Sequence, residues 1–206
     1  MKKRNFLGAS LFAMSSLALA ANKKSPATGC SAEAGPVLLT VTGAIGKGNR
    51  GPLDPALDQM MAKQKLQFSR AHTFDFAALA ALPQTSIAPT LEYDGKHHNL
   101  SGPLLADVIA ATGATSATSA NAGNPNGLDI LLRAIDGYAV MVSLADLRKY
   151  RYIVATHLDG KPIPLGGVGP LWAVYDADRF ADMMERPLSA RFALCPWGLY
   201  HMEVKA

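Results

Sequence analysis

The residues with the greatest capacity for redox chemistry or soft-metal binding are two cysteines, Cys30 and Cys195. They lie far apart in the chain and have no CxxC spacing, so a metal-bound or reactive thiol is the weaker interpretation. In an oxidising compartment the two can pair. Closing so long a loop contributes about 4–5 kcal/mol in the chain-entropy model. The sequence therefore predicts a structural disulfide between Cys30 and Cys195, and a reactive thiol remains the alternative.

The five histidines show no pattern typical of a metal site or of a catalytic base. His97 and His98 are adjacent in a predicted strand, so their side chains face opposite sides and do not converge on one metal ion. The other three histidines are scattered, and no local pattern joins a Ser or Cys nucleophile to a His base. The sequence predicts no metal site.

A glycine-rich stretch, Gly166 to Gly169, is a candidate for anion binding because a run of glycines can offer its backbone N–H groups to an anion. It precedes a predicted strand and not a helix, so a tight turn is the favoured interpretation. A second candidate stretch holds Arg133, Asp136 and Tyr138. Asp136 is explained by an Asp-Gly turn, whereas Arg133 and Tyr138 are candidates for lining a cleft.

The beginning of the chain predicts export. Lys2, Lys3 and Arg4 precede an apolar stretch over residues 6–20, which ends in Ala18-Leu19-Ala20. This pattern is typical of a signal peptide cleaved near Ala20, with a retained membrane anchor as the alternative. We therefore expect a signal peptide at 1–20, a flexible leader at 21–35, one domain at 36–206 and a periplasmic or secreted protein with no membrane span after cleavage.

The charge balance excludes some partners. The formal net charge of +4 includes Lys2, Lys3 and Arg4, so the mature chain is close to +1 (+4 − 3). A nearly neutral chain gives no indication of nucleic-acid binding. With 49% hydrophobic residues, the composition is that of a globular protein.

Short strands and short helices are predicted to alternate irregularly. Extended runs rich in apolar and β-branched residues are predicted as strands at Val37–Ile45, Ile87–Tyr93, His97–Leu100, Asp129–Ile135, Tyr138–Val142, Tyr152–Leu158, Lys161–Leu165, Leu171–Tyr175 and Leu199–Val204. Helices are predicted at Asp54–Leu66, at Phe76–Leu82 with Asp75 as its cap, after Ser101 with Pro103 in the first turn, at Leu144–Lys149 with Ser143 as its cap, and at Asp178–Glu185.

The hairpin signals decide the fold class. Asp-Gly pairs stand between extended runs at Asp94-Gly95, Asp136-Gly137 and Asp159-Gly160. The long helices of a doubly wound fold are missing. The sequence therefore predicts an α+β fold, a β-rich mixed-sheet domain with short helices.

Several segments, in order, carry a resemblance. They are Phe74–Pro83, Leu100–Ile109, Ala111–Ala114, Arg133–Val140 (RAIDGYAV), Ile153–Pro162 (IVATHLDGKP) and Gly169–Tyr175 (GPLWAVY). The chain resembles the molybdopterin-binding domain of sulfite-oxidase-like oxidoreductases, in a short exported form. The resemblance implies a β-rich α+β fold and makes molybdopterin a possible cofactor. It implies cofactor-binding candidates at Thr90, Arg133, Tyr138, Gly167 and Gly169.

The chain departs from this family at two places. The family binds molybdenum through a Cys that precedes the stretch matching Leu100–Ile109, and residues 82–99 here contain none. A soft metal site prefers a thiolate, and Thr90 is a poor substitute. Trp172 stands where the family has an Arg suited to phosphate.

The export signal points the same way. Proteins exported folded with this cofactor commonly use twin-Arg signals, and Arg4 here has Lys3 before it and Asn5 after it. No cofactor is therefore favoured. We expect an exported binding or accessory module for an unknown small ligand or a periplasmic protein partner. The alternative is a periplasmic molybdopterin-dependent oxidoreductase.

Overall fold

The computed structural model describes residues 35–114 and 127–205. The predicted signal peptide (1–20), the predicted leader apart from Gly35, Cys30, and almost all of the low-complexity stretch 115–127 lie outside the described residues. The strands are β1 (Leu39–Gly43), β2 (His72–Phe74), β3 (Gln84–Ile87), β4 (Leu100–Pro103), β5 (Asp129–Ala134), β6 (Ala139–Ser143), β7 (Ile153–Ala155), β8 (His157–Leu158), β9 (Lys161–Pro162), β10 (Trp172–Val174) and β11 (Leu199–Lys205).

The helices within the described residues are all short. They are α1 (Gln59–Lys63), α2 (Phe76–Ala80), α3 (Leu105–Ala111), α4 (Leu144–Lys149), α5 (Ala181–Met184) and α6 (Leu188–Arg191), with a 3-10 turn at Ala177–Arg179. None of the helices in the described ranges has the length and apolar character needed to cross a membrane. Short helices beside numerous strands confirm the mixed α+β class.

The largest sheet has five strands in the order β2-β1-β11-β5-β6. β1 and β11 are parallel, and the other neighbouring pairs of this sheet are antiparallel. The inner face carries alternate side chains that are almost fully buried, among them Val41, Ile130, Leu132, Met202 and Val204. This alternation is the period-2 pattern of a strand with one face on a core.

A four-stranded sheet, β3-β4-β8-β9, and a pair, β10-β7, complete the described strands. β4 passes very close to β7 at Gly102. A Cβ atom there would lie 1.9 Å from the Val154 carbonyl oxygen, so only glycine fits. This approach places the four-stranded sheet directly against the core.

Several predicted elements differ from the structure. The strands predicted at Ile87–Tyr93 and His97–Leu100 are mostly the connection between β3 and β4, and the helix predicted at Asp178–Glu185 is divided into a 3-10 turn and α5.

Two further predicted helices also differ. Ser101 and Pro103 belong to strand β4, and α3 begins at Leu105, because residues 100–103 pair with β3 and with β8 instead of starting a helix. The helix predicted at Asp54–Leu66 is reduced to α1. Asp54 makes its own turn, with its side chain accepting from Ala56 N at 2.8 Å, and Lys65 has a positive φ of 60° that ends the helix.

Candidate ligand-binding cleft

One cleft of about 270 Å³ lies where three separated segments meet. The segments are the connection between β3 and β4, the β5–β6 turn and the stretch between α6 and β11. The residues that line the cleft are Glu92, Tyr93, Ala134, Asp136, Tyr138, Phe192, Ala193, Cys195, Pro196 and Trp197. Each segment is held in place by a sheet, so the fold itself brings these residues together.

Aromatic rings form much of the cleft surface. Tyr93, Tyr138 and Trp197 are 57%, 49% and 42% exposed, which is unusual for such large side chains. Tyr138 is fixed at its far end because its hydroxyl donates to the Ala193 carbonyl oxygen at 2.6 Å. The Tyr93 ring packs 6.4 Å from the buried ring of Trp172, measured between centroids. At least two of the three rings are therefore held in position by contacts within the protein.

Two carboxylates, Glu92 and Asp136, also line the cleft, and none of its described lining residues is Lys, Arg or His. Asp136 is oriented by the hairpin, since its Oδ1 accepts from Tyr138 N at 2.8 Å. Burial, with the negative charge of Glu92 and a hydrogen bond to it, raises the pKa of Tyr93 to about 12. The phenol of Tyr93 therefore stays neutral near pH 7, and the carboxylates give the cleft a negative character.

Cys195 lies at the buried side of the cleft and is only 4% exposed. Its thiol is unpaired in the structure, and its Sγ is 3.9 Å from the Tyr152 hydroxyl oxygen. Burial strongly raises the pKa of this thiol, so it remains protonated. A protonated thiol is a poor nucleophile and a poor metal ligand. Because Cys30 lies outside the described residues, the disulfide between them stays a prediction.

Of the five cofactor-binding candidates, only Tyr138 lines the cleft. Thr90 lies nearby in the chain, but its backbone N donates to the Asp178 carboxylate at 2.7 Å and its hydroxyl contacts His97 Nδ1 at 3.3 Å. Thr90 is thus engaged in joining two segments of the fold.

Arg133 is on the other face of β5 from Ala134, opposite His201 of β11. Its Nε is buried and has no hydrogen-bond partner. Burial, together with the positive charge of Arg133, lowers the pKa of His201 to about 4, so the imidazole is neutral near pH 7. His201 Nε2 lies 3.0 Å from the Thr42 hydroxyl. Arg133 therefore acts on the polar face of the large sheet and not in the cleft.

Gly167 and Gly169 are in the loop before β10. Gly167 N donates to the Pro164 carbonyl oxygen at 3.3 Å, and Gly169 precedes Pro170 through a cis peptide bond. A Cβ atom on Gly169 would lie 2.5 Å from Ile163 Cγ2. Both positions are explained by the tight turn that the sequence favoured.

The sequence did not single out Glu92, Tyr93, Phe192 or Trp197 as candidates for a site. Leu199 and His201, which follow Trp197 in the chain, are buried, but Trp197 lines the cleft. The available signal was Gly198, which has a φ of 62° and turns the chain between Trp197 and the buried strand.

The described residues do not fit a molybdenum cofactor. The stretch in which the family carries its thiolate has no Cys, and the thiol that does line the cleft is protonated and buried. Trp172, at the family's Arg position, is fully buried and donates from Nε1 to the Cys195 carbonyl oxygen at 2.9 Å. No cluster of three or more His, Cys, Asp or Glu suited to a metal ion occurs within residues 35–114 and 127–205.

Comparison with known proteins adds no assignment. No protein-family model matches the chain, and no curated protein matches it.

Proposed function

We propose that this chain is an exported binding or accessory module that holds a small ligand in the aromatic cleft and does not catalyse a reaction there. The fold is proposed to be a variant of the sulfite-oxidase-like molybdopterin domain that has lost the metal thiolate. The protein would act in the periplasm or outside the cell, after signal-peptide cleavage near Ala20. A bound ligand, or a periplasmic protein that recognises the loaded cleft, is its partner.

The observation that carries this proposal is the cleft itself. It is concave and lined by exposed aromatic rings with a few polar groups, as small-molecule sites generally are. Its volume of about 270 Å³ is close to the lower end of the range for ligand pockets, about 300–1,000 Å³, and suits a small molecule or one end of a larger one.

The chemistry of the lining favours binding over catalysis. Nucleophilic catalysis needs a side chain activated by an adjacent base or by a lowered pKa. The thiol of Cys195 has the opposite property, a raised pKa, and no histidine lines the cleft. If Cys195 pairs with Cys30, the sulfur is equally unable to act as a thiolate. Fold retention without chemistry is common, since activity resides in particular sites.

The test is to purify the protein from its native compartment and measure its metal content, its absorption spectrum and its intact mass under native conditions. We expect a colourless, folded protein without stoichiometric molybdenum, whose N-terminus is close to residue 21. We expect a small-molecule adduct that Trp197→Ala loses. Phe76→Ala, which removes an exposed ring outside the cleft, serves as the control and should keep the adduct.

Two outcomes would contradict the proposal. Stoichiometric molybdenum would favour the molybdopterin-dependent oxidoreductase instead. An adduct that survives Trp197→Ala unchanged would show that the ligand binds elsewhere.

A further inference from the structure

We propose that the cleft selects an organic cation, of the quaternary ammonium or methylated amine class. This inference rests on the proposed ligand-binding function and narrows it to a class of ligand. It combines two features of the cleft, the exposed aromatic rings and the excess of carboxylates.

The rings are contributed by three parts of the chain. Tyr93 comes from the connection between β3 and β4, Tyr138 from the β5–β6 turn, and Trp197 from the residues before β11. A cation within about 6 Å of the centroid of a Trp or Tyr ring is attracted by the negative face of the ring. Methylated ammonium groups suit such a site because their charge is spread over a poorly hydrated, rounded surface.

The charges add to the same preference. Glu92 and Asp136 both line the cleft without a basic residue among the described lining residues. Asp136 is held by the Tyr138 N–H, so its carboxylate does not need to be ordered by the ligand. Preorganised charge costs less on binding than charge on a mobile side chain.

A neighbouring cavity, which shares Ala193 with the cleft, is lined in part by the basic side chains of Arg186 and Arg191. Arg191 is occupied there, since its Nη1 lies 3.0 Å from Asp178 Oδ1 and its Nη2 donates to the Met184 carbonyl oxygen at 3.1 Å. Arg191 therefore compensates Asp178, and the carboxylates of the cleft have no comparable partner among its lining residues.

Neutral aromatic ligands and sugars also stack on exposed rings, and they are the main competitors for such a surface. Neither class requires two uncompensated carboxylates beside the rings. A cation is favoured by them, because opposite charges attract more strongly in a partly enclosed cleft than in bulk water.

The experiment compares choline with 3,3-dimethylbutan-1-ol, a neutral molecule of nearly the same shape, by calorimetric titration of the purified mature protein. We expect choline to bind about tenfold more tightly, the ratio that corresponds to one good cation–π or charge contribution. Choline binding should weaken as salt concentration rises, whereas binding of the neutral alcohol should not.

Two charge variants locate the effect. Asp136→Asn removes one negative charge and keeps an Asn-Gly turn, so the hairpin is preserved. Glu92→Gln removes the other negative charge. Each should weaken choline binding severalfold and leave the alcohol unaffected, while Glu185→Gln, an exposed carboxylate outside the cleft, should change neither. Thermal unfolding of each variant reports that the fold is retained.

Equal affinity for choline and the alcohol would overturn the cation inference and leave the binding function standing. Absence of choline binding would also overturn it. The binding function is decided separately, by the metal content and the native adduct.

Discussion

One carboxylate, that of Asp75, holds two parts of the chain. Its Oδ1 accepts from Ala78 N at 2.7 Å and caps α2, and its Oδ2 accepts from Gly35 N at 2.9 Å. The cap satisfies an N–H group that has no partner within the helix. The contact with Gly35 fixes the first described residue to the fold.

We expect Asp75→Ala to lower the free energy of unfolding by about 1 kcal/mol, and by no more than about 2 kcal/mol, which is the usual range for loss of an N-cap. Urea denaturation monitored by circular dichroism measures this. Asp75→Asn retains a capping oxygen and should lose less. If the alanine variant is as stable as the wild type, the cap makes no net contribution.

At the scale of elements, His98 joins two hairpins. Its Nδ1 lies 2.8 Å from Asp159 Oδ2 in the β8–β9 turn, and its Nε2 lies 3.0 Å from Asp94 Oδ2 in the connection before β4. Both ring nitrogens face acceptors, so both donate only when the imidazole is protonated. The hydrogen bonds to Asp159 and Asp94 accordingly raise the pKa of His98 above 6.5.

The sign of the pH dependence follows from these shifts. Because the folded-state pKa of His98 is raised, the contribution of this cluster to stability is complete below about pH 6.5 and is lost as pH rises through the folded pKa. His98 lowers the pKa values of Asp94 and Asp159 below 3.8, so the contribution is lost again as pH falls through their folded pKa values.

We therefore predict that the stability advantage of the wild type over His98→Gln is greater at about pH 5 than at about pH 8.5. Urea unfolding at the two pH values measures this difference. The groups are mostly exposed, so the effect should be small and should decrease in high salt. Met141→Ala, at an exposed side chain that does not titrate, is the control and should show no such change. An equal advantage at both pH values would contradict the assignment.

Local chemistry made two of the three Asp-Gly hairpins and two caps predictable, whereas Asp94-Gly95 lies within the longer connection between β3 and β4. Asp75 and Ser143 cap α2 and α4 as expected, and the Asp-Gly pairs at 136–137 and 159–160 form the turns of hairpins. A two-residue type I′ turn requires a positive φ at both of its central residues. Among the three Asp residues of the Asp-Gly pairs, only Asp159 has a positive φ, 48°. Ser101 had an equally good capping sequence, and pairing with distant strands determined its structure instead.

The cleft was much less predictable than the fold class. Glu92, Asp136 and Trp197 are far apart in the sequence, and no short motif relates them. They meet because β3–β4, β5–β6 and the segment before β11 are packed on one core, which is a tertiary effect. The sequence did identify Tyr138 as a cleft candidate. The Asp-Gly turn explained Asp136 and Gly137, but it gave no structural reason for the aromatic side chain that follows.

At the scale of the whole molecule, β11 is the central strand of the large sheet. It lies between β1 and β5, and Met202 on this strand is fully buried. Removal of a buried methionine side chain leaves a cavity, because the surrounding residues relax only partly to fill it.

We expect Met202→Ala to reduce the free energy of unfolding by about 2–5 kcal/mol. Met141→Ala, in the same sheet but 46% exposed, should remain within about 0.5 kcal/mol of the wild type. Chemical denaturation of the two variants provides a matched pair. Similar losses in the free energy of unfolding for both variants would contradict the central role of β11 in the stability of the sheet.

The place of β11 in the chain also governs when the protein can fold during synthesis. β2 and β1 lie on one side of β11, and β5 and β6 lie on the other, yet all four are synthesised before it. While residues 199–205 are still inside the ribosome, the residues of β1 and β5 lack the strand that lies between them in the folded sheet. A chain in that condition cannot close its main sheet, and the edges of β1 and β5 that β11 covers remain unpaired.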